Sequence, residues 1–373
     1  MRDPHSPGSP QFRLRWLASR SSGPAAWLDE EEWIPSGPHT LYDRAKIGLR
    51  ESLAASGRDG VVLLPAYVPG GVVWAVLQAG LDVRYYPVNA DLSLPVEAVT
   101  ERIERVDPAA VCFVHYFGFV DDAYDELRAT ARQRDAIVVE DCARGTFGRD
   151  RTGRLLGSTG DVALFCLHKT LPVPNGGLTI ARHASLPAPE RRRAERGRIP
   201  RLAALWATRL ARIPVDPYPT VERSPGTTDA TDAPPPGRKA PGPLTERGLQ
   251  RVRPAAVQSA RREHYRTLRG RLDADPSLEV VTPPVYDGAA PYGVAAVART
   301  AAHRQRLLRA LRRAGLPCDV LTWPPVHHQE EPTSYPGAEI LRDRLVVFPT
   351  HQQLGSRAVA EVADVVSGLH DRE

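Results

Sequence analysis

The chain has 373 residues, of which 42% are hydrophobic and 25% charged, with a formal net charge of +5. This is the composition of a globular protein long enough for one large core and a smaller one. No run of eighteen apolar residues offers a membrane span, and the arginines are interleaved with acids without the aromatic-basic alternation of a nucleic-acid surface, so neither a membrane nor a nucleic acid is an expected partner.

In chain order, Met1–Ser36 reads as a partly disordered arm rich in Pro, Ser and Arg. Its first part, Met1–Ser22, lacks the apolar core of a signal peptide, so a cytoplasmic location is expected. Trp27 and Trp33 flank the acidic run Asp29–Glu32 and are placed to tack the arm onto the body. Thr40–Ser52 reads as a helix from the spacing of Leu41, Ala45 and Leu49, continued by Leu53. Strands are expected at Gly60–Pro65, Asp82–Pro87 and Ala109–His115, alternating with helices at Val72–Gly80, Leu94–Val106 and Asp121–Arg134. Such alternation argues for a largely parallel α/β sheet with right-handed crossovers.

Ala136–Val139 is a short apolar run of the kind buried on both faces of a sheet, and it ends in Glu140-Asp141. A polar loop leads to a second such strand, Val162–Leu167, then to His168-Lys169-Thr170, and Asn175-Gly176-Gly177 opens a third, Leu178–Ala181. Further on come a basic helix over Ala188–Arg212, a Pro-rich low-complexity linker over Pro214–Pro243, and a long helix over Leu244–Asp273. Short strands at Leu278–Val281 and Tyr292–Ala298, a helix over Ala301–Ala314, a strand after Gly315-Leu316-Pro317 and a final helix over Ser356–Leu369 make a small α+β unit. Cys112, Cys142, Cys166 and Cys318 are widely spaced without a CxxC pair, which favours reduced thiols. His327-His328 has no acid or cysteine at ligand spacing, so no metal site is expected.

Two residues point to chemistry. Open α/β sheets bind ligands at the carboxyl ends of their strands, where Asp141 and Lys169 both fall. Three of the 49 basic residues are lysine (Lys46, Lys169 and Lys239), so the chain uses arginine for charge almost everywhere else. Arginine stays protonated and forms no imine, whereas a desolvated lysine becomes a nucleophilic amine. A Schiff-base lysine with an acid partner for a pyridinium nitrogen is the core of a pyridoxal phosphate site. The alternatives are a surface lysine at a strand end and an aspartate that caps a loop.

Five pieces in order resemble the DegT/DnrJ/EryC1/StrS family of pyridoxal phosphate (PLP)-dependent aminotransferases. They are Leu63-Leu64-Pro65-Ala66-Tyr67, Val114-His115-Tyr116-Phe117-Gly118, Val139-Glu140-Asp141-Cys142-Ala143, Gly157-Ser158-Thr159-Gly160-Asp161, and Lys169 followed by Pro172-Val173-Pro174-Asn175-Gly176-Gly177. The resemblance implies aminotransferase fold type I: a large domain with a mostly parallel sheet between helices, plus a smaller C-terminal α+β domain. The expected division is an arm over 1–36, the PLP-binding domain over 37–243 ending in the linker from about 213, and the connecting helix with the small domain over 244–373. Arg261-Arg262 with Tyr265 and Leu268 is similar to the family's connecting helix, and Trp323-Pro324-Pro325 with Val347–Gln352 to its C-terminal part.

By the same resemblance Lys169 is the catalytic Schiff-base lysine and Asp141 the pyridinium partner. Tyr67 is the first candidate to stack on the ring, a role for which the alternative is a core tyrosine. Arg144 stands where the family has His or Gln near the ring hydroxyl, and His168 precedes the lysine at the pocket. The family's hydroxyl turn at the start of the first helix is missing, which leaves Tyr42 and Arg44 to hold the phosphate or to be ordinary helix-surface residues. Leu164 replaces a phosphate-binding Ser five residues before the lysine, and no Gly-Tyr-Asn-Tyr-Arg segment is present. The implied activity moves an amino group from an amino acid donor to a keto small molecule, often a sugar, in a homodimer. Two alternatives remain: PLP chemistry other than transamination, such as dehydration or bond formation, and a non-catalytic scaffold.

Overall fold

The computed structural model describes residues 10, 25–190, 237–318, 321, 323 and 334–370. The expected basic helix and Pro-rich linker lie mostly outside these residues. So do His327-His328, most of the arm before Ala25, and part of the stretch after Gly315-Leu316-Pro317, where a strand was expected.

The elements follow the apolar runs. They are β1 (His39–Tyr42), α1 (Ala45–Ala55), β2 (Val61–Pro65), α2 (Gly70–Gln78), β3 (Asp82–Tyr86), α3 (Val96–Val106), β4 (Ala110–Val114), α4 (Tyr124–Gln133), β5 (Ile137–Asp141), β6 (Val162–Cys166), the single turn α5 (Leu167–Thr170) and β7 (Gly177–Ala181). One seven-stranded sheet runs in the order β1-β7-β6-β5-β4-β2-β3. Neighbours from β3 to β6 are parallel, and β7 runs antiparallel to both β6 and β1. The sheet is mostly parallel, as the alternation of strands and helices implied. Helices Pro243–Leu249 and Pro254–Leu272 lead to a three-stranded antiparallel sheet of β8 (Leu278–Val280), β9 (Gly293–Ala298) and β10 (Leu345–Pro349). Helices Ala301–Arg313, Pro336–Arg344 and Ser356–His370 complete it. One apolar core runs through both sheets, from Leu63 and Val139 to Leu268, Val294 and Phe348.

Two elements differ from the pattern in the sequence. The expected helix over Thr40–Ser52 is a strand up to Tyr42 and a helix only from Ala45. Pairing of His39–Tyr42 with Gly177–Ile180 supplies more hydrogen bonds and burial than five extra helical residues offer, so the sheet wins the segment. The expected single helix over Leu244–Asp273 is two. Pro254 is at the start of the second, where it lacks the N–H that continuity needs and forces extended geometry on Arg253. The arm docks as expected: Trp27 packs edge-on to Phe147 at 5.0 Å and donates from Nε1 to the Leu249 carbonyl at 2.9 Å.

Glycine is required where α1 meets the sheet. A Cβ on Gly177 would lie 2.1 Å from the Ala45 nitrogen and 2.4 Å from its Cα, both backbone atoms with no freedom to move aside. Gly177→Ala is therefore expected to cost about 3 kcal/mol as the helix is pushed off β7. The check is a lower urea midpoint at unchanged slope.

Candidate active site

The carboxyl edge of the large sheet gathers side chains from separate strands. Asp141 ends β5 and is buried; Oδ1 accepts from the Ala143 N–H at 2.9 Å, closing the turn that follows the strand. Among the described residues Oδ2 makes no hydrogen bond. Asp141 pairs across the strands with Val114 on one side and Leu164 on the other. Cys166 ends β6, and Lys169 follows on α5, partly exposed. Asp141 and Lys169 both act electrostatically on the Cys166 thiol. Burial pushes that thiol up, but His168 and Lys169 outweigh it and bring it down to about 7. His168 is half-buried, with Nδ1 3.5 Å from Cys166 Sγ.

The turn that carries Lys169 is fastened from behind. Arg261, fully buried on the Pro254–Leu272 helix, donates from its two terminal nitrogens to the Thr170 carbonyl at 2.9 Å and the Pro291 carbonyl at 3.1 Å. Burial lowers its pKa to about 10. Gln352 adds a second donor to the Thr170 carbonyl at 3.2 Å. Arg261→Met removes bonds from a charged donor to buried carbonyls, and a loss of about 3 kcal/mol is expected, read as a fall in thermal midpoint. The sequence offered only the resemblance of its helix as a signal for Arg261.

A similar clamp lies beneath Asp141. The buried Glu140 carboxylate is 2.8 Å from His115 Nε2 and accepts from Gly157 N at 3.1 Å, Thr159 N at 2.8 Å, Thr159 Oγ1 at 3.0 Å and the Gly160 N–H. Burial alone would push its pKa up. The His115 bond and charge and the N–H donors outweigh that and hold it at about 2. Glu140 thus ties the Gly157–Asp161 loop to the strand that presents Asp141.

The other sequence candidates are placed as follows. Tyr67 is fully buried, donates to the Leu321 carbonyl at 2.8 Å, and its ring lies 4.4 Å from Trp323 and 5.9 Å from Tyr116. The Arg144 guanidinium lies 5.0 Å from the Tyr292 ring and 5.4 Å from that of Trp323, between two aromatic faces. Trp323 thus joins this edge from far along the chain, and no local pattern marks its contacts. Tyr42 is on a strand and not on a helix surface; it is fully buried, donates to the Pro187 carbonyl at 2.7 Å, and burial and Glu51 push its pKa up to about 12. Arg44 is exposed, immediately before α1, and makes no side-chain cap. The first turn of α1 lies against Gly177, which pairs with Cys166, so this helix N-terminus opens on the same edge as Lys169.

Comparison with known proteins adds a partial family match and a set of similar folds. The model of the DegT/DnrJ/EryC1/StrS aminotransferase family matches residues 45–192. This stretch contains β2 to β7 with Asp141 and Lys169, and the resemblance read from the five motifs holds over it. No curated protein matches the chain. Among solved structures, the aminotransferase TlmJ from Streptoalloteichus hindustanus is similar over 98% of each chain at 20% identity, with a TM-score of 0.68. DesV from S. venezuelae, solved with a ketimine intermediate, is similar over 96% of this chain and 93% of its own at 18% identity, with a TM-score of 0.69. A GDP-4-keto-6-deoxymannose-3-dehydratase is similar over 88% of each chain at 16% identity, with a TM-score of 0.62. At these identities the structures establish the fold, which carries both transamination and dehydration in these neighbours. Among the described residues no helix is long and apolar enough to cross a membrane.

Proposed function

We propose that the protein is a PLP-dependent aminotransferase that moves an amino group from an amino acid donor to a keto small molecule, a sugar or another biosynthetic intermediate. The observation that carries this reading is the placement of Lys169 and Asp141 at the carboxyl ends of adjacent parallel strands, within the stretch that matches the family.

The donors on this edge fit the cofactor. Lys169 supplies an amine, Asp141 Oδ2 an acceptor, and the first turn of α1 a group of N–H donors suited to a phosphate. When bound, PLP supplies an electron sink for charge that develops at the donor's Cα. Asp141 holds a proton at the pyridinium nitrogen. Lys169 Nζ would take the donor's Cα proton and return it. Arg144 fixes an anionic group beside the ring, and its position between Tyr292 and Trp323 orients it. Tyr67, fully buried, backs this edge through Trp323 and does not reach a ligand, and His168 stands next to the lysine. A homodimer is the expected working unit.

The test is a half-reaction without acceptor. Loaded protein mixed with L-glutamate is expected to release one 2-oxoglutarate per site and stop, and a keto sugar then restarts turnover with donor consumed one for one. Product formed from a keto substrate without donor consumption would replace transamination by dehydration or bond-forming chemistry.

A further inference from the structure

A second site lies at the far end of the same sheet edge. A cavity of about 410 Å³ opens between β3, α3 and the first turn of the Pro336–Arg344 helix. β3 is four places from β6 in the sheet order, roughly 19 Å at ordinary strand spacing, so this is not the Lys169 pocket. Its volume is in the range of small-molecule sites.

The walls are of two kinds. Tyr85 and Tyr335 line one side with their rings 6.4 Å apart, held together by the Tyr335 hydroxyl, which donates to the Tyr85 carbonyl at 3.1 Å. Arg102 and Arg105, one turn apart on α3, also line it. Arg102 is only 7% exposed, and its Nε donates to the Tyr85 carbonyl at 2.9 Å. Burial lowers its pKa, and the like charges of Arg105 and Arg84 act in the same direction. The one acid among the lining residues, Glu101, makes an exposed pair with Arg105 at 3.6 Å, which neutralises little. A concave surface with a buried guanidinium, further positive charge and an aromatic wall matches an anion that carries a flat ring.

The cavity is also preformed. A Cβ on Gly337 would lie 2.1 Å from the Val88 carbonyl oxygen, so the helix start and the strand-end loop are in backbone contact. Val88 and Gly337 both line the cavity.

We propose that this cavity binds a nucleoside phosphate, with the phosphates at Arg102 and Arg105 and the base against Tyr85 and Tyr335. The site is independent of the chemistry at Lys169.

The test is titration calorimetry of the full chain with UDP, ADP and inorganic pyrophosphate. At least one nucleotide is expected to bind in the micromolar range, more tightly than pyrophosphate, and to weaken as salt is raised. Arg105→Glu, a change at an exposed side chain that leaves the fold intact by circular dichroism, is expected to weaken it at least tenfold. Lys169→Ala is expected to leave it unchanged. The proposal is overturned if no nucleotide binds, if pyrophosphate binds as tightly as the nucleotides, or if binding survives Arg105→Glu. Binding that survives Arg105→Glu and is lost in Lys169→Ala would place the nucleotide at the Lys169 site and leave the aminotransferase reading standing.

Discussion

Lys169→Ala is expected to abolish the visible absorbance band that PLP forms with the protein, and with it the borohydride-fixed label. The wild type should show both. The half-reaction with L-glutamate should fall by roughly 10⁴-fold, the upper part of the range for loss of a positioned proton-transfer group. The fold should survive. The turn that carries Lys169 is held through the Thr170 carbonyl by Arg261 and Gln352. Two controls sharpen the result. Lys169→Arg keeps the charge but cannot condense with an aldehyde, so it should behave as the alanine variant does. Lys46→Ala should keep the band, because Lys46 Nζ, on α1, is engaged 4.5 Å over the Trp74 ring of α2. A band that persists in Lys169→Ala would move the Schiff base to another lysine and sink the assignment. A wild type that never forms one would favour the scaffold reading.

Glu140→Ala should be the most destabilising single change in the site. It removes one acceptor from a dry cluster and leaves His115 and the N–H groups of Gly157, Thr159 and Gly160 without it, at a cost of about 3–5 kcal/mol. The same cluster predicts acid lability. The Glu140 pKa is depressed in the folded state, so its contribution is complete above the unfolded value near 4.5 and is lost as pH falls toward about 2. That window corresponds to roughly 3 kcal/mol. Urea midpoints should therefore drop between pH 4.5 and 2 in the wild type. The drop should be much smaller in Glu140→Gln, which starts lower and has no carboxylate to protonate. Equal acid sensitivity in the two proteins would show that other carboxylates control this range.

Lys169 and Asp141 were legible because each stands at the end of a short buried run, and because lysine is rare in this chain. Glu140 was not, although it is next to Asp141. Strand alternation turns it to the opposite face, where its partners are His115, just after β4 and twenty-five residues away, and a loop seventeen to twenty residues away. The break at Pro254 had a local signal in the proline itself, outweighed in the reading by the apolar pattern on either side. The helix expected over Thr40–Ser52 failed for another reason: Leu41, Ala45 and Leu49 suit one face of a helix, and nothing nearby reveals that β7 will pair with the first of them.

The sequence by itself determined the alternation of strands and helices, the parallel sheet it implies, and the lysine and aspartate at that sheet's edge, because hydrophobic period and residue type are properties of neighbouring positions. Only the tertiary structure decided which polar groups share the dry interior. Arg261 reaches Thr170 across ninety-one positions, and Tyr67 reaches Leu321 across 254. A buried donor or acceptor is stable only when paired, and the partner is chosen by where the packed elements cross, which no local pattern encodes.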